Sequence, residues 1–389
     1  MTTAADPSAF DLDTILTRAD ALSRSFAARA AVHDRDGSFP FENFDELRAA
    51  GLLALTVPVE FGGRGAGLAA VCHVVERIAR GDASTALVLS MQYMNHAGLA
   101  RRRSWPAPIY ERICREAAGG IALMNALRVE PELGTPARGG LPATTAVPTG
   151  DGWRLSGHKI YATGSPILTY FLVWGRTAGD APRVGTFLVP RETDGWRIVE
   201  TWDHLGMRAT GSHDVIFEDA FIPEEYAVDV RPPAGWAARD PIDGAWNGLG
   251  IAALYHGVAV AARDWLVEYL HERKPANLGA PLASLPRFQS AVGEIEALLY
   301  TNDRLIYTHA TAVDAGDPGK PGSANLIKYI ATNNAIRAVD IALGLIGNPG
   351  LTRNHPLERY HRDVLCSRIH TPQDDVITVA AGKAALGIS

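Results

Sequence analysis

Apolar residues in the first hundred or so positions recur every three or four residues. Leu12, Ile15, Leu16, Ala19, Leu22 and Phe26 form one such stripe, which predicts an amphipathic helix over about Ala9 to Val32. Asp36, Gly37 and Pro40 break it. The pattern resumes over Phe44 to Leu53, with Asn43 as the expected N-cap, then over Leu68 to Arg80. It continues over Ser84 to Arg101, with Asp82 or Ser84 as cap, and over Ile109 to Ala118. TVPVEFGGRGAG, ending at Gly67, lacks G-x-G-x-x-G spacing and reads as a turn, not a phosphate cradle. Residues 1–118 are therefore expected to form a helical domain.

The pattern changes after Gly119 and Gly120. Short strand-like runs alternate with Gly, Pro, Asp and Thr turns. They lie near Ile121–Leu127, Thr144–Val147, Trp153–Leu155, Lys159–Thr163, Tyr170–Arg176, Gly185–Val189, Trp196–Glu200 and His213–Phe221. No helical period intervenes, so residues 119–232 are expected to be a β domain, barrel-like or a sandwich. In LSGHKIYATGS, Leu155 to Ser165, an aromatic ring and a hydroxyl two residues apart, Tyr161 and Thr163, would share one strand face. Such a surface can lie against a flat, polar-edged ring. From residue 233 to 389 the helical period returns in long runs, Asn247–Arg273, Phe288–Ala315 and Ser323–Leu345. After a sharp stop at GNPG (Gly347–Gly350) come Leu357–Arg368 and Thr371–Leu386. Runs of that length suggest a four-helix-type bundle. The fold class expected is multidomain α+β: helical, β, then helical.

Composition adds exclusions. The chain has 389 residues, 47% hydrophobic, with a net charge of -6 and a mean hydropathy of -0.01. Acidic and basic residues are interspersed, so no nucleic-acid footprint is expected, and Arg101 to Arg103 read as a solvated helix end. No apolar run approaches the ~18 residues of a membrane span, and MTTAADPSAFDLD lacks a secretory pattern. Cys72, Cys114 and Cys366 are scattered, without metal spacing, and suit packing thiols in a reducing cytoplasm.

Five segments in order resemble the acyl-CoA dehydrogenase superfamily of flavoproteins over essentially the full length. They are VPVEFGGRG (Val57–Gly65), RVEPELGT (Arg128–Thr135), GHKIYATGS, LGMRATGSHDVIFEDAFIP (Leu205–Pro223) and ERYHRD (Glu358–Asp363). The resemblance implies FAD between the β domain and the bundle, in a homodimer or homotetramer. It implies that Val129, Gly134 and Thr135 line the flavin and that Tyr161 and Thr163 cover one ring face and edge. Arg273 matches an arginine that reaches the pyrophosphate, and Gly347 and Gly350 a turn near the adenine. Electron-transfer flavoprotein, or a flavin reductase, would be the redox partner, and acyl-CoA or another small molecule the substrate.

One part departs from that pattern. Dehydrogenating an acyl thioester requires a carboxylate that removes the α-proton. The resemblance places it at Thr371 or at Asn247, with an arginine at Gly248. None of the three has the expected chemistry. RIHTPQDD, Arg368–Asp375, reads instead as a T-x-x-D capping box with Thr371 as N-cap, Pro372 at N1 and Asp374 at N3. His370 directly precedes it, and there the two-component flavin monooxygenase branch of the superfamily is similar. His96, on an apolar helix, reads as packing. The global resemblance puts dehydrogenation first, with His370 or Asp374 in place of the missing Glu. Oxygenation with reduced FMN or FAD supplied by a reductase comes second, and a catalytically lapsed flavin-binding scaffold third.

Overall fold

The computed structural model describes residues 11–133, 140–236 and 240–388. Helices α1 (Leu12–Asp36), α2 (Phe41–Ala49), α3 (Leu68–Gly81), α4 (Ala83–Arg102) and α5 (Ala107–Gly119) come first. The α1 stripe buries Ile15, Ala19, Phe26 and Ala30, and the helix ends at Gly37 in the left-handed region. Asp82 caps α4, its carboxylate accepting from the Thr85 N–H at 3.0 Å. Asn43 is not a cap, because α2 begins two residues earlier. Its side chain turns inward instead, donating to Thr85 Oγ1 (2.7 Å) and accepting from Arg29 Nε (2.6 Å), so it ties α1 to α4. The Gly-Gly segment is a turn, as expected: a Cβ on Gly63 would lie 2.0 Å from the Val57 carbonyl oxygen, so only glycine fits there. The arginine run is less solvated than expected. Arg101 and Arg102 both pair with Asp243, and Arg103 pairs with Glu60.

Strands β1 (Met124–Leu127), β2 (Thr145–Pro148), β3 (Gly152–Lys159), β4 (Tyr170–Thr177), β5 (Val184–Pro190), β6 (Trp196–Val199), β7 (Asp214–Pro223) and β8 (Asp229–Arg231) make one sheet. Its order is β6-β7-β3-β2-β4-β5-β8, with β1 added on β4. The path begins at β6 and ends at β8, so the sheet is open and not a closed barrel. The two expected strands at Trp153–Leu155 and Lys159–Thr163 are one, β3, with an irregularity between Leu155 and Gly157. It stops at Lys159, so Tyr161 and Thr163 do not share a strand face. Tyr161 takes a left-handed backbone, φ 58°, and turns the chain out of the sheet.

Lys159 is drawn inward by a buried ion pair. Its Nζ donates to Glu130 Oε1 (2.6 Å) and to the Trp174 carbonyl. Glu130 also accepts from the backbone N–H groups of Ala143 and Thr144 and from the Thr144 hydroxyl. Burial raises the Glu130 carboxyl, but the bonds from Lys159 and Thr144 outweigh it and hold it below its ordinary range. This cluster joins the loop carrying Val129 to the end of β3.

Among the described residues, the rest of the chain carries α6 (Pro241–Glu272), α7 (Pro286–Asp314), α8 (Ser323–Ile346), α9 (Asn348–Leu351), α10 (Leu357–Leu365) and α11 (Asp374–Leu386). Every residue from Gly248 to Ala262 is buried, so α6 is the central rod of the bundle. A Cβ on Gly248 would meet the Ala324 carbonyl oxygen at 3.0 Å, which shows how closely α8 begins beside α6. GNPG stops α8 as expected, but residues 348–351 then make one helical turn. The ERYHRD segment is a clamp. Arg362 binds Asp34 of α1, Glu358 and the Leu205 carbonyl, while Asp363 accepts from the Met207 N–H at 2.6 Å. All three domains meet there.

Replacing Lys159 with Met leaves Glu130 buried without its cation. Denaturant unfolding should show a loss of about 3–5 kcal/mol. A loss under about 1 kcal/mol would mean that this pair does not anchor the loop.

Candidate functional site

Two walls carry the candidate residues. On the β-domain wall, the Ile160 N–H donates to the Val129 carbonyl at 3.0 Å, so Val129 and Tyr161 lie one residue apart across a bridge. Tyr161 is 54% exposed, unusual for a tyrosine beside a core strand. Its ring meets Trp202 and His204 edge-on, and those two rings stack at 3.6 Å. Thr163 is fixed from two sides. The Asn125 amide donates to its carbonyl (3.0 Å), and its hydroxyl bonds Ser212 Oγ (3.0 Å). Ser212 in turn bonds the Thr210 hydroxyl at 2.8 Å. An exposed aromatic ring beside a hydroxyl held by its own network fits the planar, polar-edged ring of a flavin.

The bundle wall is built by α6, α8 and the segment before α11. The Asn247 amide donates to the Thr371 carbonyl at 2.8 Å. The two positions at which the resemblance places a base therefore touch each other, and neither bears a carboxylate. Lys328 of α8 is wholly buried, and its Nζ donates to the carbonyls of His370 and Pro372, both at 2.8 Å. Burial lowers its pKa against the opposing pull of Asp374. The expected capping box is not formed. The Thr371–Pro372 peptide is cis, Gln373 is the N-cap, and α11 begins at Asp374. The backbone is extended at His370 and again at Gln373, with Lys328 holding the carbonyls of His370 and Pro372, and Thr371 stands outside the first turn of α11.

His370 is half-buried, and its Nε2 lies 2.7 Å from the hydroxyl of Tyr255 on α6. Burial, with the Lys328 charge beside it, pushes its pKa down to about 3, so the ring is neutral at pH 7. Asp374 is held by Asn333, whose amide donates to Oδ2 at 2.9 Å; the other carboxylate oxygen is buried without a partner among the described residues. His96 is wholly buried, as a packing histidine would be, and burial lowers its pKa to about 3.

Other expected residues lie elsewhere. Gly134 and Thr135 fall outside the described residues. Arg273 is exposed at the far end of α6, about 27 Å along the axis from Tyr255 at 1.5 Å per residue. Gly347 and Gly350 sit beyond the C-terminal end of α8, whereas Lys328 lies near its beginning. Two open clefts of about 450 and 440 Å³ are lined by Arg154, Asp194 and Phe221 and by Pro106, Arg112 and Tyr226, none of which belongs to either wall. Among the described residues, no group of three or more His, Cys, Asp or Glu could hold a metal, and no helix is long and apolar enough to cross a membrane.

Sequence reasoning missed Tyr255, Lys328 and Asn333. Lys328 had a readable signal, a lysine on the apolar stripe Ala324, Ile327, Ala331 and Ala335. Tyr255 had none, since it lies inside the unbroken apolar run of α6.

Comparison with known proteins is consistent from end to end. The N-terminal, middle and C-terminal domain families of acyl-CoA dehydrogenase match residues 16–101, 129–220 and 245–383. The putative acyl-CoA dehydrogenase YdbM of Bacillus subtilis is 34% identical over 364 residues, 92% of each chain. The amino sugar nitrososynthase RubN8 of Streptomyces rubradiris is 32% identical over 373 residues, covering 92% of this chain and 86% of the relative. The solved structure of KijD3 with FMN and a dTDP-linked amino-keto sugar superposes with a TM-score of 0.85 at 32% identity, covering 100% and 96% of the two chains.

Because His370 has a folded pKa of about 3 against an ordinary 6.5, the unfolded chain takes up the proton first. The stability this contributes is full above about pH 6.5 and is lost as pH falls toward 3. The gap in melting temperature between the protein and its His370→Asn variant should therefore narrow from pH 7 to pH 4. A constant gap would show that His370 protonates alike in both states.

Proposed function

The chain belongs to the acyl-CoA dehydrogenase family of flavoprotein oxidoreductases, and within that family we propose that it is an oxygenase. It takes reduced flavin and molecular oxygen and moves one oxygen atom onto a nitrogen or sulfur of a small substrate. The other oxygen leaves as water with the two hydrogens of the reduced flavin, which ends oxidised. The observation that carries this reading is the Asn247 amide bonded to the Thr371 carbonyl at 2.8 Å. Where dehydrogenation needs a carboxylate, two groups stand that cannot accept an α-proton near pH 7. The neighbouring position is closed as well, since even a Cβ on Gly248 crowds the Ala324 carbonyl.

In this reading Val129, Tyr161 and Thr163 hold the flavin ring, and the bound flavin supplies the redox chemistry. His370 faces it as a neutral hydrogen-bonding group. Gly134, Thr135, Gly347 and Gly350 would serve the rest of an FAD; FMN would use the ring site alone. Arg273 is about 27 Å from Tyr255 along α6, so it would reach a flavin held by a second subunit of a homotetramer. A flavin reductase would supply the reduced cofactor. An amine is the favoured substrate, because relatives at 30–32% identity are named as nitrososynthases of amino sugars.

A second reading, α,β-dehydrogenation of an acyl thioester, has support in the 34% identity to YdbM and in the unpartnered oxygen of Asp374. Its weakness is that the other Asp374 oxygen is engaged by Asn333.

With a reductase, NADH and FMN or FAD, oxygen uptake should yield an oxygenated product from a panel of amino sugars and thioethers. His370→Ala should lower product formed per O2 by about 100- to 1,000-fold, the range for removing one positioned donor, with hydrogen peroxide accumulating instead. Unchanged product yield in that variant would remove His370 from the chemistry.

A further inference from the structure

The contact between Tyr255 and His370 decides which nitrogen of the histidine carries its proton. Tyr255 is completely buried, and burial raises its pKa well above 10, so the phenol keeps its hydrogen. That hydrogen must be donated or left unsatisfied in the interior, which costs the full desolvation of the group. Among the described residues the acceptor at hand is His370 Nε2, 2.7 Å away. If Nε2 carried the proton, the two groups would present two donors to one contact and the phenol hydrogen would be orphaned. Nε2 is therefore the acceptor, and the proton of the neutral ring sits on Nδ1. Nδ1 has no partner among the described residues and belongs to a ring that is only half-buried.

We propose that Tyr255 is a positioning residue that locks His370 as the Nδ1–H tautomer and so turns it into an uncharged hydrogen-bond donor aimed away from α6. Lys328 completes the device. By holding the carbonyls on both sides of Thr371 it fixes the backbone that carries the ring. The charged and titratable groups around the pair are Lys328 of α8, Asp374 of α11, and Asp363 and Cys366 at the end of α10. The Lys328 ammonium further disfavours imidazolium. A donor that stays neutral can bind an oxygen atom of a reactant without handing it a proton. That is what oxygen transfer in preference to peroxide release requires. This role rests on the oxygenase reading, but the lock itself does not.

The test has two arms. In the first, the protein is labelled with ¹⁵N in its imidazole rings and studied without flavin, and the His370 signals are assigned by their loss in His370→Gln. The wild-type ring should show the proton on Nδ1. In Tyr255→Phe, which removes one hydroxyl, the Nε2–H form should appear at a comparable or larger share. A wild-type ring protonated on Nε2, or a tautomer unchanged in Tyr255→Phe, would overturn the proposal. In the second arm, Tyr255→Phe should lower product formed per O2 about 5- to 20-fold in the protein, yet change it less than 2-fold in a His370→Gln background. Equal losses in both backgrounds would show that Tyr255 acts elsewhere. A tautomer shift with no oxygen transfer in any variant would leave the lock standing and remove the oxygenase reading instead.

Discussion

A buried ammonium holding two carbonyls is the contact on which the bundle wall depends. Lys328 has no exposed surface and, among the described residues, no carboxylate in direct contact; its Nζ is spent on the backbone of His370 and Pro372. Burying a charge this way is costly unless hydrogen bonds compensate it, and here the compensation is the shape of the segment itself. With that segment held in place, His370 reaches Tyr255, Asn247 reaches Thr371, and α11 starts only at Asp374. The β-domain wall follows the same logic. Lys159 is buried against Glu130, and the pair fixes both the Val129 loop and the point where β3 gives way to Tyr161. One buried lysine in each domain fixes the backbone that carries the candidate groups.

Between those anchors the bundle wall contains little that can take a proton. Asn247 and Thr371 satisfy each other, a side chain at Gly248 would crowd the Ala324 carbonyl at the start of α8, and His370 is held neutral by burial and by Lys328. Asp374, the carboxylate at the start of α11, is turned toward Asn333. A wall of this composition suits chemistry in which the flavin and oxygen do the work and the protein orients and excludes water.

Much of the architecture was legible in the letters. The period-3.6 stripes of α1, α3 and α8 and the switch to short strands after Gly119 mark the helical, β, helical order of the fold, because one face of each element is buried and the other is not. The local errors share a cause, which is that tertiary contacts overrode local signals. Asn43 has the chemistry of a cap but is used as a buried tie between helices. Thr371, Pro372 and Asp374 have the spacing of a capping box, yet Lys328, more than forty residues away, dictates a different backbone. The strand-like letters of Lys159 to Thr163 end in a left-handed turn because Lys159 must point at Glu130. Tyr255 was invisible because nothing in an apolar helical run distinguishes a tyrosine that packs from one whose hydroxyl reaches a histidine.

The absence of a working base at Asn247 and Thr371 is tested most directly by exchange of acyl α-protons. The protein, loaded with oxidised flavin and kept anaerobic in D2O, would be mixed with saturated acyl-CoAs of several chain lengths while flavin absorbance and deuterium at the α-carbon are followed. The expected result is no α-deuterium above the uncatalysed rate and no bleaching of the flavin. Deuterium incorporation accompanied by bleaching would mean that a base operates in this crevice and that the chain is a dehydrogenase.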